Sequence, residues 1–258
     1  MASSKASVAN SIRRLVNRSG FDVIRDSFRY RFVFAMNQRG VQTVLDIGAN
    51  VGQFGCDLRR AKFAGSILSV EPLAEAYRQL AAQAAADPAW TTERAAVSDR
   101  AGTLTMNIAG NSVSSSVLPM LTDHIDAAPA ARYVSTEEVP ATTVDDLVAR
   151  HRIDPASTLL KIDVQGYEKS VLDGAAQTLS QFAGVRTEVS LVPLYEGQAL
   201  LPEILAYLDE RGFDQRQLER GYTDPQTRRT LQLDGVFFRR TESGPGKPFG
   251  PRGSLGLV

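Results

Sequence analysis

The chain has little to build covalent or metal architecture with. Among 258 residues there is one cysteine, Cys56, and there are two histidines, His124 and His151. A lone cysteine excludes a disulfide framework and a cysteine metal site, and makes the reducing cytoplasm the natural compartment. Net charge is lacking too: 29 basic residues balance 29 acidic ones. Without a global basic field, nucleic acid is not the expected partner. No apolar run is long enough to span a bilayer, and the first residues lack the apolar segment of a signal peptide, so a soluble protein is expected. No internal repeat is present. No Gly-Lys-Ser/Thr follows a glycine loop, which excludes a Walker nucleotide site.

What is present is organised around Val44-Leu45-Asp46-Ile47-Gly48-Ala49-Asn50-Val51-Gly52-Gln53-Phe54. An apolar run ends in an acid, breaks into a glycine-spaced loop and continues as a helix. Gly48 and Gly52 remove Cβ where backbone approaches something closely, and the helix start offers unpaired N–H groups. Asn50 stands where a dinucleotide fingerprint needs its second glycine, so a pyrophosphate meets a side chain there. That loss, and the absence of a suitably placed Tyr-x-x-x-Lys pair, count against the alternative of an NAD-dependent oxidoreductase. One helix further on, Ser69-Val70-Glu71-Pro72 closes a second buried strand, and Glu71 falls where a βαβ unit offers a carboxylate to both ribose hydroxyls of a nucleoside.

The rest alternates strand and helix, the signature of an α/β fold with a parallel sheet. A lead-in over residues 1–40 holds a short basic amphipathic helix at Ser11–Val16 and an aromatic helix from Phe21 to about Arg39. The first of these either packs on the domain edge or makes at most peripheral membrane contact. Residues 41–240 form the main domain, and 241–258, rich in Gly and Pro, read as a disordered tail. Residues 90–97 read as a single third strand whose tip, Ala96 to Asp99, offers small residues for a flat base. The least periodic stretch, 109–140, reads as a lid carrying Ser114-Ser115-Ser116 and His124. Thr142 or Thr143 caps the next helix, and His151 at its end reads as structural.

The second strong signal is Leu159-Leu160-Lys161-Ile162-Asp163-Val164-Gln165-Gly166-Tyr167-Glu168, again an apolar strand ending in an acid and breaking at glycine. Asp163 then shares a crevice with the acids of the neighbouring strands, and Glu188 closes the next one. By alternation Lys161 lies on the side of Asp163, placed to pair with it, to bind substrate or to carry its head to the surface.

These motifs together resemble FkbM-type S-adenosylmethionine-dependent methyltransferases, over about residues 41–240. The resemblance implies a Rossmann-like class I fold, a mostly parallel seven-stranded sheet with helices on both faces. It also implies S-adenosyl-L-methionine as cofactor and O-methylation of a hydroxyl, of the kind seen on deoxysugars of glycolipids or natural products. Carried onto this chain, donor contacts fall on Asp46, Gly48, Asn50, Gly52 and Phe54, and on Glu71 with Pro72. Further contacts fall on Ala96, Val97 and Ser98, and on Ser115, Asp163 and Gln165. The hydroxyl's proton needs an acceptor. Asp163 is the first candidate, Glu188 the second and His124 the third. No residue set is assigned to a metal, and a divalent-cation requirement stays open. A homodimer is compatible with the chain. A relative that keeps the fold without catalysis is the remaining alternative.

Overall fold

The computed structural model describes residues 28–240. The basic helix expected at 11–16, the first residues of the aromatic helix and the expected tail lie outside them. In chain order the elements are α1 (Phe28–Gln38), β1 (Thr43–Ile47), α2 (Gln53–Arg60), β2 (Ser66–Val70) and α3 (Ala74–Ala84). Then come β3 (Trp90–Glu93), β4 (Ala96–Val97), β5 (Gly102–Ala109), α4 (Thr122–Ala127), β6 (Tyr133–Thr142) and α5 (Val144–His151). The last are β7 (Thr158–Ile162), α6 (Glu168–Asp173), β8 (Gly184–Ser190), α7 (Leu201–Glu210), β9 (Phe213–Arg220) and β10 (Gln232–Arg239).

Seven strands form the main sheet in the order β3-β2-β1-β7-β8-β10-β9. The first five run parallel, and β10 is antiparallel to both of its neighbours. Strands buried on both faces need apolar residues at nearly every position, which β1 and β7 supply. Leu45, Ile47, Leu160 and Ile162 face α5, α6 and α7 in one core cluster. Val44, Ile67 and Leu159 face α1, α2 and α3 in another. The chain moves outward from β1 through β2 to β3, and later from β7 to β8 on the other side. This places a topological switch point between β1 and β7, where α/β sheets hold ligands outside their carboxyl ends.

Two expectations need correction. The single strand expected over 90–97 is two strands in two sheets: β3 pairs with β2, whereas β4 joins β6 and β5 in a second, three-stranded sheet. The break falls at Arg94, whose guanidinium reaches the Pro72 carbonyl at 3.2 Å and the Glu137 carboxylate at 2.6 Å and so turns the chain from one sheet to the other. Nor is 109–140 irregular throughout, because β6 pairs antiparallel with β5 along most of its length. Most of β6 is exposed or half-buried. The apolar alternation that marks a strand is therefore missing, and ladder hydrogen bonds hold it instead. Among the described residues, no helix is long and apolar enough to cross a membrane.

Candidate active site

A cleft of about 500 Å³ opens at the carboxyl ends of β1, β2, β7 and β8. Its base is a buried ion pair. Asp46, fully buried on β1, accepts a 2.9 Å hydrogen bond from Ser69 and pairs with the Lys161 ammonium at 3.0 Å. Lys161 also donates to the carbonyl oxygens of Gly48, at 2.9 Å, and Ile47, at 3.3 Å. Burial pulls this ammonium down, but Asp46 and Asp163 outweigh it and the pKa lies above the ordinary lysine value. Lys161 therefore braces the first loop from below, and its head is not at the surface.

The loop depends on glycine in an atomic sense. Gly48 has φ +70°, and a Cβ there would lie 1.9 Å from the carbonyl oxygen of Asp163. The loops after β1 and β7 approach this closely only because the side chain is absent. Gly52, at φ 93°, caps α2, and its open face lies under Leu80 and Trp90. Asn50 also has positive φ, and its N–H donates to Glu71 at 2.8 Å. The other Glu71 oxygen accepts from the Leu73 N–H at 3.0 Å. Burial raises Glu71 to about 7, against those two hydrogen bonds.

On the other side of the switch point, the Gln165 amide nitrogen donates to Asp163 at 2.9 Å and to Glu188 at 3.0 Å. Gln232 donates to Glu188 at 2.6 Å. Burial, then the charges of Asp163, Glu168 and Asp234, hold the Glu188 carboxyl well above the usual range. Glu168 receives the N–H groups of Val164 and Gly166 and so fixes the turn; burial lifts it to about 7. Tyr195, fully buried, places its hydroxyl 3.0 Å from the Gln165 side-chain oxygen and 3.2 Å from the Ser114 carbonyl. Its ring fills the space a Gly166 side chain would need.

Most of the residues expected from sequence meet on this cleft. Gly48, Asn50, Phe54, Glu71 and Pro72 line it, as do Ala96, Val97, Ser115, Asp163 and Gln165, together with Glu188 and His124. Asp46 lies beneath the wall, Gly52 shapes the turn, and Ser98 is turned away to Asp99, at 2.8 Å, and Tyr167, at 3.1 Å. The serines serve the segment itself: Ser115 bonds the Ser112 carbonyl and the Ala109 N–H, and Ser116 donates to the Gln165 carbonyl. His124 is buried on α4 and lines the cleft.

Arg186, Tyr222, Gln232 and Asp234 also line the cleft, and sequence reasoning missed them. Arg186 pairs with Asp234 at 3.2 Å and lies 4.8 Å over the Phe54 ring. Gln232 and Asp234 alternate with apolar Leu231 and Leu233 at the start of β10, a pattern that marks one polar face. Tyr222 lies in the connection between β9 and β10 and carries no such signal.

The cleft fits a nucleoside donor with an amino-acid end. Glu71 stands on its wall beside a small apolar surface of Ala95, Ala96, Val97 and Leu73, and the glycine cradle adjoins the Asp163 cluster. Acidic side chains on the wall, Asp57, Glu71, Asp163, Glu188 and Asp234, outnumber the basic Lys161 and Arg186, and although burial holds Glu71 and Glu188 partly protonated the balance does not oppose a sulfonium. Among the described residues, no group of three or more His, Cys, Asp or Glu is arranged to hold a metal.

No curated protein matches the sequence. Solved structures resemble the fold at low identity. Magnesium protoporphyrin IX methyltransferase from Synechocystis, solved with bound S-adenosylmethionine, is 11% identical over 82% of this chain and 76% of its own, with a TM-score of 0.46. A TehB-like methyltransferase from Corynebacterium glutamicum is 12% identical over 92% of this chain and 100% of its own, at 0.40. An rRNA methylase from Streptococcus thermophilus is 8% identical over 85% and 100%, at 0.46. The methyltransferase FkbM domain matches residues 46–214, from the Asp46 loop to the start of β9. With more than half its length so matched, the chain belongs to the FkbM methyltransferase family, and S-adenosylmethionine is its cofactor.

Proposed function

We propose that the protein methylates a hydroxyl oxygen on a neutral, polyhydroxylated acceptor, a deoxysugar of a glycolipid or natural product being the class that fits best. The observation that carries this reading is the acid pair Asp163 and Glu188, bridged by one amide of Gln165 beside the donor loop. An uncharged amine attacks a methyl group without prior loss of a proton, whereas a sugar hydroxyl is a weak nucleophile until its proton leaves. Two carboxylates at the switch point answer that need. The bound cofactor supplies a methyl group already activated on a sulfonium.

The chain's residues do the remainder. The Gly48 cradle and Glu71 hold the donor in register, and alignment supplies much of the acceleration. The donor held there would supply the methyl group, and the acceptor hydroxyl's proton passes to Asp163 or Glu188 as its oxygen is alkylated. Glu188, held above the ordinary carboxylate range, is a stronger base than an ordinary carboxylate once ionised. The wall carries no excess of basic side chains to receive a polyanionic acceptor such as nucleic acid.

The test is transfer of labelled methyl from S-adenosylmethionine to fractionated sugar and lipid extracts, with the product bond identified as an ether. Asp163→Asn and Glu188→Gln should each lower transfer about 100-fold or more. Affinity for S-adenosylhomocysteine should stay within a few-fold. Wild-type rates in both variants, or label on nitrogen, would overturn the reading.

A further inference from the structure

The cleft holds a second polar feature that proton removal does not use. His124 is 3% exposed, yet its Nδ1 has no hydrogen-bond partner among the described residues. The Tyr222 hydroxyl is buried in the same condition. Both residues line the cleft, with ring centroids 5.8 Å apart and planes tilted by 45°. Neither is placed loosely. The Tyr222 carbonyl accepts the N–H groups of Leu231, at 2.9 Å, and Gln232, at 3.2 Å, and the His124 ring stands edge-on to Tyr195 at 5.1 Å. Around them Ala127, Leu194, Tyr195 and Leu231 form an apolar cluster of their own.

A buried polar atom left unpaired costs about 1–3 kcal/mol, and each instance in a folded protein calls for a reason. Two such atoms, on neighbouring rings that both line a ligand cleft, are accounted for together by a ligand that pairs both. We propose that His124 and Tyr222 form the acceptor subsite, gripping a hydroxyl of the sugar other than the one that is methylated. This rests on the O-methylation reading and names the residues that select its substrate.

The chemistry of the pair defines the ligand group. A phenol donates, and the unprotonated nitrogen of a neutral imidazole accepts. A hydroxyl is able to receive from the first and donate to the second at once. A carboxylate or a fully ionised phosphate has no proton to give, and an ammonium has no lone pair to offer. Burial lowers the His124 pKa below the ordinary histidine value, which keeps the ring neutral and its acceptor available. His124 accordingly holds the acceptor, and the proton goes to the acid pair.

Binding of methyl glycosides of rhamnose, fucose and glucose, measured by saturation-transfer NMR in the presence of S-adenosylhomocysteine, tests this without turnover. Tyr222→Phe keeps the ring against His124 and removes only the hydroxyl. It should weaken the best-binding glycoside about three- to ten-fold while leaving calorimetric affinity for S-adenosylhomocysteine unchanged. A mono-deoxy derivative lacking the gripped hydroxyl should bind wild type and Tyr222→Phe equally, a non-additivity that a merely structural tyrosine does not produce. Equal binding of the parent glycoside by both proteins, additive losses, or no binding of any glycoside by wild type would each overturn the subsite. These results read the subsite alone, whereas label transfer in Asp163→Asn reads the methylation chemistry.

Discussion

Removing the ammonium beneath the first loop, by Lys161→Met, separates structural from chemical roles at the centre of the fold. Asp46 has no exposure, and its Lys161 partner lies 3.0 Å away with a side chain 7% exposed. At that distance, in an effective dielectric of about 20, the attraction is about 5 kcal/mol. Deleting one partner of such a pair leaves the other charge buried and costs about 3–5 kcal/mol. For a domain of this size that corresponds to a melting temperature lower by about 6–20 °C. Urea and thermal unfolding at neutral pH measure it directly. Adding Asp46→Asn to Lys161→Met should recover most of the lost stability, because the uncompensated charge is gone. Donor affinity should not recover, because the Gly48 carbonyl still lacks its ammonium donor. A single variant within about 1 kcal/mol of wild type, or a double variant no more stable than the single one, would refute the argument.

Other consequences are measurable. Glu71→Ala should weaken S-adenosylhomocysteine binding at least about ten-fold by calorimetry, since it removes a wall carboxylate and frees the Asn50 N–H; unchanged affinity would remove Glu71 from the donor site. Glu168 titrates near 7 when folded against 4.5 ordinarily, so the native state binds the extra proton. Its contribution to stability is fully present below 4.5 and is lost as pH rises towards 7, by about 3 kcal/mol. Glu168→Gln keeps an acceptor for the Val164 and Gly166 N–H groups and should flatten the stability profile over that window; parallel profiles for the two proteins would contradict it.

The site was legible where one local pattern carried it. An apolar run, then an acid, then a glycine marked Asp46 and Asp163, because a buried parallel strand must end in a polar group at the sheet's carboxyl edge. Glu71 followed from spacing, since one helix separates neighbouring strand ends. Fold class followed from the same alternation. What stayed hidden depends on pairing or on distance. The strand β6 has too few buried positions to alternate, and Arg94 bends the chain between sheets through contacts with Pro72 and Glu137. His124 and Tyr222 meet from two connecting segments far apart in sequence, and nothing local announces one ring tilted against the other. Lys161 shows the limit of alternation: the pattern gave its side correctly, but only the depth of the cleft decided that its charge stays inside.

Gly48 makes one dimension of this enzyme independent of its ligands. The separation between the donor loop and the Asp163 turn is set by a missing atom, since backbone meets backbone there. The spacing of these two loops is thus built into the scaffold before anything binds, whereas His124 and Tyr222 sit on connections outside the main sheet. With the proposed acceptor subsite on those connections, they are free to be remodelled while the spacing of the two loops stays unchanged, so that reading separates what is methylated from how methylation occurs.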